Sequence, residues 1–259
     1  MIKKLLLILL VCFSSKAHSQ IINEKLVEKH LTTLADNLME GRKAGSQGIE
    51  MAAKYIESEF ERIGLDKFES QNSFRQSFSS KDMSLFNVIG VLEGKSKADE
   101  YVIISAHYDH LGMKTGEKGD LIFNGANDNA SGVSAVLALA EHYKTQNINE
   151  RSLLFVAFTA EEMGLIGSNY FGKQINPKNI IAGINIEMIG KESPFGPKTA
   201  WLTGFDRSDF GQIIQKNLEE SDYSLYPDPY VNFRLFFRSD NASLARLGVP
   251  AHTFSTSPM

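Results

Sequence analysis

A chain of 259 residues, 42% apolar and 22% charged, suits one globular domain with a sizeable core. A net charge of −4 gives no support to nucleic-acid binding, which needs a basic face, and acidic runs of the calcium-collecting kind are absent. No internal repeat or linker divides the chain.

The first twenty residues differ from the rest. Lys3 and Lys4 precede an apolar run over residues 5–13, which is too short to span a bilayer comfortably. Ala17 and Ser19 then stand at small-residue cleavage spacing before Gln20. Residues 1–19 read as a secretory signal peptide, and residues 20–259 as a single exported domain, periplasmic or secreted, with no membrane span once mature. Cys12 is the one cysteine and lies in that leader. Val11 precedes it where a lipoprotein signal wants a small residue, so lipidation is not expected. The mature chain then has no disulfide, and any zinc must be held by nitrogen and oxygen.

Residues 22–39 predict a helix with Val27, Leu31, Leu34 and Leu38 on one stripe, and His30 beside it as a packed or surface histidine. The glycine-rich segment 41–48 reads as an interhelical loop. A second helix runs to residue 63, with Ala52, Ile56, Phe60 and Ile63 inward and Gly64 closing it. Residues 67–80 alternate weakly and predict an edge strand; residues 85–92 predict a clearer one.

Residues 102–106 form an uninterrupted apolar or small run, the mark of a fully buried strand in an α/β sheet. The run stops at His107, Asp109 and His110, and such sheets do their chemistry just past the carboxyl ends of strands. His107 and Asp109, two apart, share a side. They suit a metal-ligating imidazole with a carboxylate behind it, or equally a structural pair. Residues 114–120 read as a charged surface loop.

Residues 125–132, GANDNASG, mark a tight turn, with Ser131 able to cap the helix behind it. That helix turns Val133, Val136, Leu137 and Ala140 inward and leaves His142 exposed. Asp128 is part of the turn, or is aimed from it into a site. Residues 152–158 predict a buried strand running into Glu161 and Glu162. Adjacent residues cannot point the same way, so one acid can bind a metal while the other holds a proton. Acids at a helix N-terminus also favour its dipole, and a helical turn is expected directly after them. Residues 180–186 predict a further apolar strand ending in Glu187. Four consecutive segment ends, read as strand ends, thus carry His107, Asp128, Glu162 and Glu187. One imidazole with three carboxylates suits zinc or a similar divalent ion. Then follow a strand at 200–203, a helix at 208–219, an aromatic stretch at 223–237, a helix at 241–247 and a strand at 250–254 that includes His252 as a structural histidine.

The motifs HYDHLG, GANDNASG, FTAEEMGLIGS, NIEMIG and RSDNASLARLGVPA occur in this order. Their order and spacing resemble the co-catalytic zinc exopeptidases, the family of bacterial leucyl aminopeptidases, glutamate carboxypeptidase and the glutaminyl cyclases. Nearly the whole mature chain is covered, including GRKAGSQGIEMAAKYIESEFERIGL upstream. The resemblance implies an α/β fold, an open, twisted, mixed but mostly parallel sheet flanked by helices on both faces. It implies two divalent ions, zinc foremost, and a water held between them that attacks the peptide bond behind a free N-terminus. His107 and Glu187 would hold one ion and Glu162 the other. Asp128 would bridge them, with a cis peptide to Asn129. Glu161 would be the general base, and Asp109 the partner of His107. Two departures are visible. The family usually has Asp where Glu187 stands, and it has a further His after the final strand, where this sequence ends at Met259. The chain therefore reads as a C-terminally truncated copy. The alternatives are a glutaminyl cyclase and an inactive secreted binding module of the same fold.

Overall fold

The computed structural model describes residues 22–69, 72–116 and 119–259. The signal peptide expected over residues 1–19, with Cys12, lies outside the described residues. Among the described residues no helix is long and apolar enough to cross a membrane.

Asn23 caps the first helix, α1 (Glu24–Leu34), by accepting the Lys25 amide. The helix stops short of residue 39 because Asp36 accepts the Leu38 amide and starts a separate 3-10 turn, Asn37–Arg42. Leu38 therefore leaves the apolar stripe and is 70% exposed. Ser46 caps α2 (Gln47–Ile63), which ends at Gly64 in the left-handed conformation, φ 81°.

His30 is buried between α1 and α2, its Nδ1 2.7 Å from the Tyr55 hydroxyl. Burial pulls its pKa from 6.5 down to about 4, so the ring folds neutral. A folded pKa below the unfolded one gives stability that is complete above pH 6.5 and is lost as pH falls towards about 4. Urea titrations at neutral pH and near the lower value are expected to differ by about 2 kcal/mol more in the parent than in a His30→Gln variant.

The strands are β1 (Asp66–Lys67), β2 (Arg75–Ser80), β3 (Met83–Leu92), β4 (Lys97–His107), β5 (Gly112–Met113), β6 (Ile122–Phe123), β7 (Arg151–Phe158), β8 (Ile180–Ile186), β9 (Thr199–Leu202), β10 (Ser224–Pro227) and β11 (Ala251–Ser255). The remaining helices are α3 (Ser131–Gln146), α4 (Ile166–Gln174), α5 (Phe210–Leu218) and α6 (Asn241–Ala245). The main sheet runs β1-β3-β7-β4-β8-β11-β9-β10, with β2 on the outer side of β3, while β5 and β6 form a separate ribbon. Its centre, β7-β4-β8-β11, is parallel; the pairs β3–β7 and β11–β9 are antiparallel. The aromatic stretch hides β10, which pairs parallel to β9 and was not predicted.

The fold is α/β, with a mixed sheet whose centre is parallel and helices on both faces. Strand β7 shows both sides. Leu153, Phe155 and Ala157 pack with residues of α1, α2 and α3, whereas Leu154, Val156 and Phe158 pack with Phe171 of α4 and Leu244 of α6. From β4 the chain crosses through α3 to β7, then returns through α4 to β8 on the other side of β4. The parallel strands thus deliver His107, the segment after Phe158, and Glu187 to one edge of the sheet.

Candidate metal centre

His107 is the last residue of β4 and is 1% exposed. Its Nδ1 donates to the Asp109 carbonyl at 3.1 Å, which leaves Nε2 as the ring atom that faces the site. That Nε2 lies 3.2 Å from Asp128 Oδ1, yet neither atom makes a hydrogen bond. Two buried polar atoms that face each other at 3.2 Å without making a hydrogen bond suit a shared cation.

Asp109 does more than partner the imidazole. Its carboxylate is 3.7 Å from His107 Nδ1, and its hydrogen bonds go elsewhere, to the amides of Glu161 at 3.0 Å and Glu162 at 3.3 Å. One fully buried acid thereby holds the backbone of the acid pair.

Asp128 is not at a strand end. It sits in the turn Ala126–Ala130 ahead of α3, and its peptide to Asn129 is cis. Asn129 ties this turn to the exit of β8: its Nδ2 donates to the Ile186 carbonyl at 3.0 Å, and its Oδ1 accepts from Gly132 at 3.0 Å and Met188 at 3.2 Å. A Cβ on Gly132 would lie 2.4 Å from the Ile186 carbonyl oxygen, so glycine allows this approach. Ser131 does not cap α3; it donates to the Asn127 carbonyl and accepts from Ile189, adding a second tie to the same exit.

Glu161 and Glu162 follow β7 in a turn, not in a helix. Ala160 and Leu165 are left-handed at φ 53° and 59°, and α4 begins only at Ile166. Glu162 Oε1 is 2.8 Å from His110 Nδ1. Glu187 follows β8, and its carboxylate accepts a hydrogen bond from Ser239.

The ligand atoms form two groups. Those of His107, Asp128 and Glu187 lie within 4.8 Å of one another, and so do those of His110, Asp128 and Glu162. Asp128 belongs to both. Burial pushes the Glu161 carboxyl up to about 9 and raises Glu187 too, with neighbouring acids adding to the effect. Although burial opposes it, contact with Asp109 and Asp128 holds the His107 pKa well above 6.5. A pocket that raises Glu161, Glu187 and His107 together has surplus negative charge, which divalent cations offset.

Three buried residues escaped the sequence reading. Arg42, in the supposed interhelical loop, is 1% exposed. Its guanidinium donates to four carbonyls, of Leu34, Tyr108, Asn124 and Gly125. Ser239 and Asp240 come from the RSDN segment, and neither Asp240 oxygen has a hydrogen-bond partner. His110, at the exit of β4, joins them through its contact with Glu162. His252 lies apart, stacked on Phe210 at 5.4 Å, with hydrogen bonds to the Thr203 carbonyl and Ser208 hydroxyl. Of the aromatic stretch, Tyr223, Phe233 and Phe237 are exposed. A cavity of about 40 Å³ beside Glu187 is lined by Met188, Trp201 and Leu235 among others.

Residues 87–259 match the profile of Peptidase family M28. Aminopeptidase YwaD of Bacillus subtilis (strain 168) is 28% identical over 138 residues, covering 49% of this chain and 28% of that protein. The chain spans less than half the length of the first curated relatives it matches. Among solved structures, BSAP, a zinc aminopeptidase from Bacillus subtilis, superposes with TM-score 0.71 at 15% identity over 90% of this chain and 85% of that one. The Porphyromonas gingivalis glutaminyl cyclase gives TM-score 0.67 at 16% identity over 91% and 84%. At these identities the likeness is one of fold.

Proposed function

The chain belongs to Peptidase family M28, and from that premise we propose that it is a zinc-dependent exopeptidase, an aminopeptidase that removes residues from the free N-terminus of peptides. The observation that carries this reading is the pair of ligand groups sharing Asp128, with Glu161 beside them. His107, Asp128 and Glu187 would hold one zinc ion. Asp128 and Glu162 would hold the other, with His110 orienting Glu162. Zinc bound there would polarise the scissile carbonyl and bring the pKa of water down towards about 7.

The remaining steps fall to the protein's own groups. Glu161 takes the proton from the attacking water and returns it to the leaving amine. Asp109 sets the position of Glu161 through the backbone amide that it accepts. The free α-amine is a cation, and it meets an acid-rich mouth where Asp128 and Glu162 keep part of their side chains in solvent. Met188, Trp201 and Leu235 offer an apolar recess to the first side chain. Residues 20–259 form the catalytic domain, exported behind the leader.

Incubation with a strong chelator is expected to abolish release of free amino acids from short peptides, and added zinc to restore it. Conversion of glutaminyl peptides to pyroglutamate in place of that release would overturn the aminopeptidase reading in favour of a cyclase. Neither activity from a zinc-loaded protein would favour the binding module.

A further inference from the structure

A second cavity, of about 320 Å³, lies beside the 3-10 turn Leu235–Phe237. Phe236 and Phe237 line it, whereas Leu235 lines the recess next to Glu187, and the two cavities share no lining residue. Its volume falls at the lower end of the roughly 300–1,000 Å³ common to small-molecule sites. Ala242, Ala245, Gly248 and Ala251 leave the space open between α6 and the start of β11. Much of the remaining wall is ring surface. His252 stacks on Phe210 with the planes 7° apart, and Phe236 leans on it at 5.9 Å. The imidazole spends Nδ1 on the Thr203 carbonyl at 2.9 Å and Nε2 on the Ser208 hydroxyl at 2.7 Å. It therefore has no polar atom left for a ligand and contributes apolar ring surface.

Two exposed guanidiniums share this lining, Arg207 and Arg246, and no aspartate or glutamate does. Arg207 lies over the rings of Phe236 and Phe237, 4.5 and 4.8 Å from their centres. Stacking engages the face of a guanidinium and leaves the N–H groups at its edge. Among the described residues its side chain makes no ion pair or hydrogen bond. Arg246 donates to Asn169 Oδ1 at 3.4 Å and has further donors to spare.

We propose that this cavity binds an aromatic carboxylate. The flat body lies among the rings of Phe236, Phe237 and His252, and the carboxylate accepts from Arg207 and Arg246. A free amino acid fits less well, because the lining offers its ammonium group no acid. A phosphate fits less well too: it carries a third oxygen and more charge, while the Ser208 hydroxyl is committed to His252. The site stands apart from the metal centre and does not depend on the peptidase reading.

The test is calorimetric titration of the full chain with naphthoate, in metal-free and zinc-loaded protein, with far-ultraviolet circular dichroism as the control for folding. Saturable, equimolar binding of equal strength in both forms is expected. Naphthamide, the same rings without the charge, should bind roughly 10–100-fold more weakly, on the scale of hydrogen bonds to a charged group. Arg207→Gln and Arg246→Gln, at exposed positions, should keep the fold. Each should weaken naphthoate about 10-fold while changing naphthamide far less. Should Arg207→Gln fail to fold, Arg246→Gln alone decides the role of the cations. Binding by the zinc-loaded protein alone would overturn the proposal by placing the carboxylate on the metal. No binding, equal affinity for naphthamide, or parent-like affinity in the folded variants would overturn it as well. Tighter binding of naphthyl phosphate than of naphthoate would overturn the carboxylate head.

Discussion

The Glu161→Gln protein is expected to bind as much zinc as the parent and to turn over aminoacyl substrates roughly 10²–10⁴-fold more slowly. The amide fills the same space beside Glu162 but cannot take a proton. The geometry separates the two acids: Glu162 lies in a ligand group with Asp128, whereas Glu161 lies outside both groups, with its amide bound to Asp109. Zinc content by atomic absorption and kcat on an aminoacyl chromogenic amide check this together. Near-parent turnover would remove Glu161 from the proton-transfer role. Loss of zinc along with turnover would move it into the ligand set.

The second large effect is on stability. Arg42→Met is expected to lower the free energy of unfolding by about 3–5 kcal/mol, seen as a shift of the urea midpoint. Methionine fills much of the volume but leaves the carbonyls of Leu34, Tyr108, Asn124 and Gly125 without their donor. It also removes a cation facing Asp109 and Asp128. Burial lowers the arginine pKa to about 10, still far above neutrality, so the charge is present in the folded protein. Arg42→Lys should recover only part of the loss, since one ammonium cannot reproduce a planar fork reaching four acceptors. A change under about 1 kcal/mol, the range of an ordinary surface contact, would show the cage to be dispensable.

What was legible in the sequence follows from what leaves a pattern. The buried strands β4, β7 and β8 appeared as apolar runs, and α2 as a stripe, because burial on one or both faces writes itself into hydrophobicity. His107, Glu161, Glu162 and Glu187 were visible because a charged residue at the end of such a run is out of place. Arg42 left no comparable trace. Its partners are backbone carbonyls, which every residue carries, and its neighbours in sequence are those of a polar loop. Strand β10 is four residues closing on Pro227 at the sheet's rim, too short and too exposed to alternate clearly. Leu38 was misassigned because a helical stripe continued by chance across the point where Asp36 starts a new turn. Ser239 was missed because a hydroxyl matters here only through a carboxylate far away in the chain.

The Asn129 amide joins the head of a helix to the tip of a strand, so Asp128 and Glu187 ride on one rigid piece and their separation is a property of the scaffold. Any change elsewhere that leaves these hydrogen bonds intact therefore leaves the spacing of the two acids unchanged.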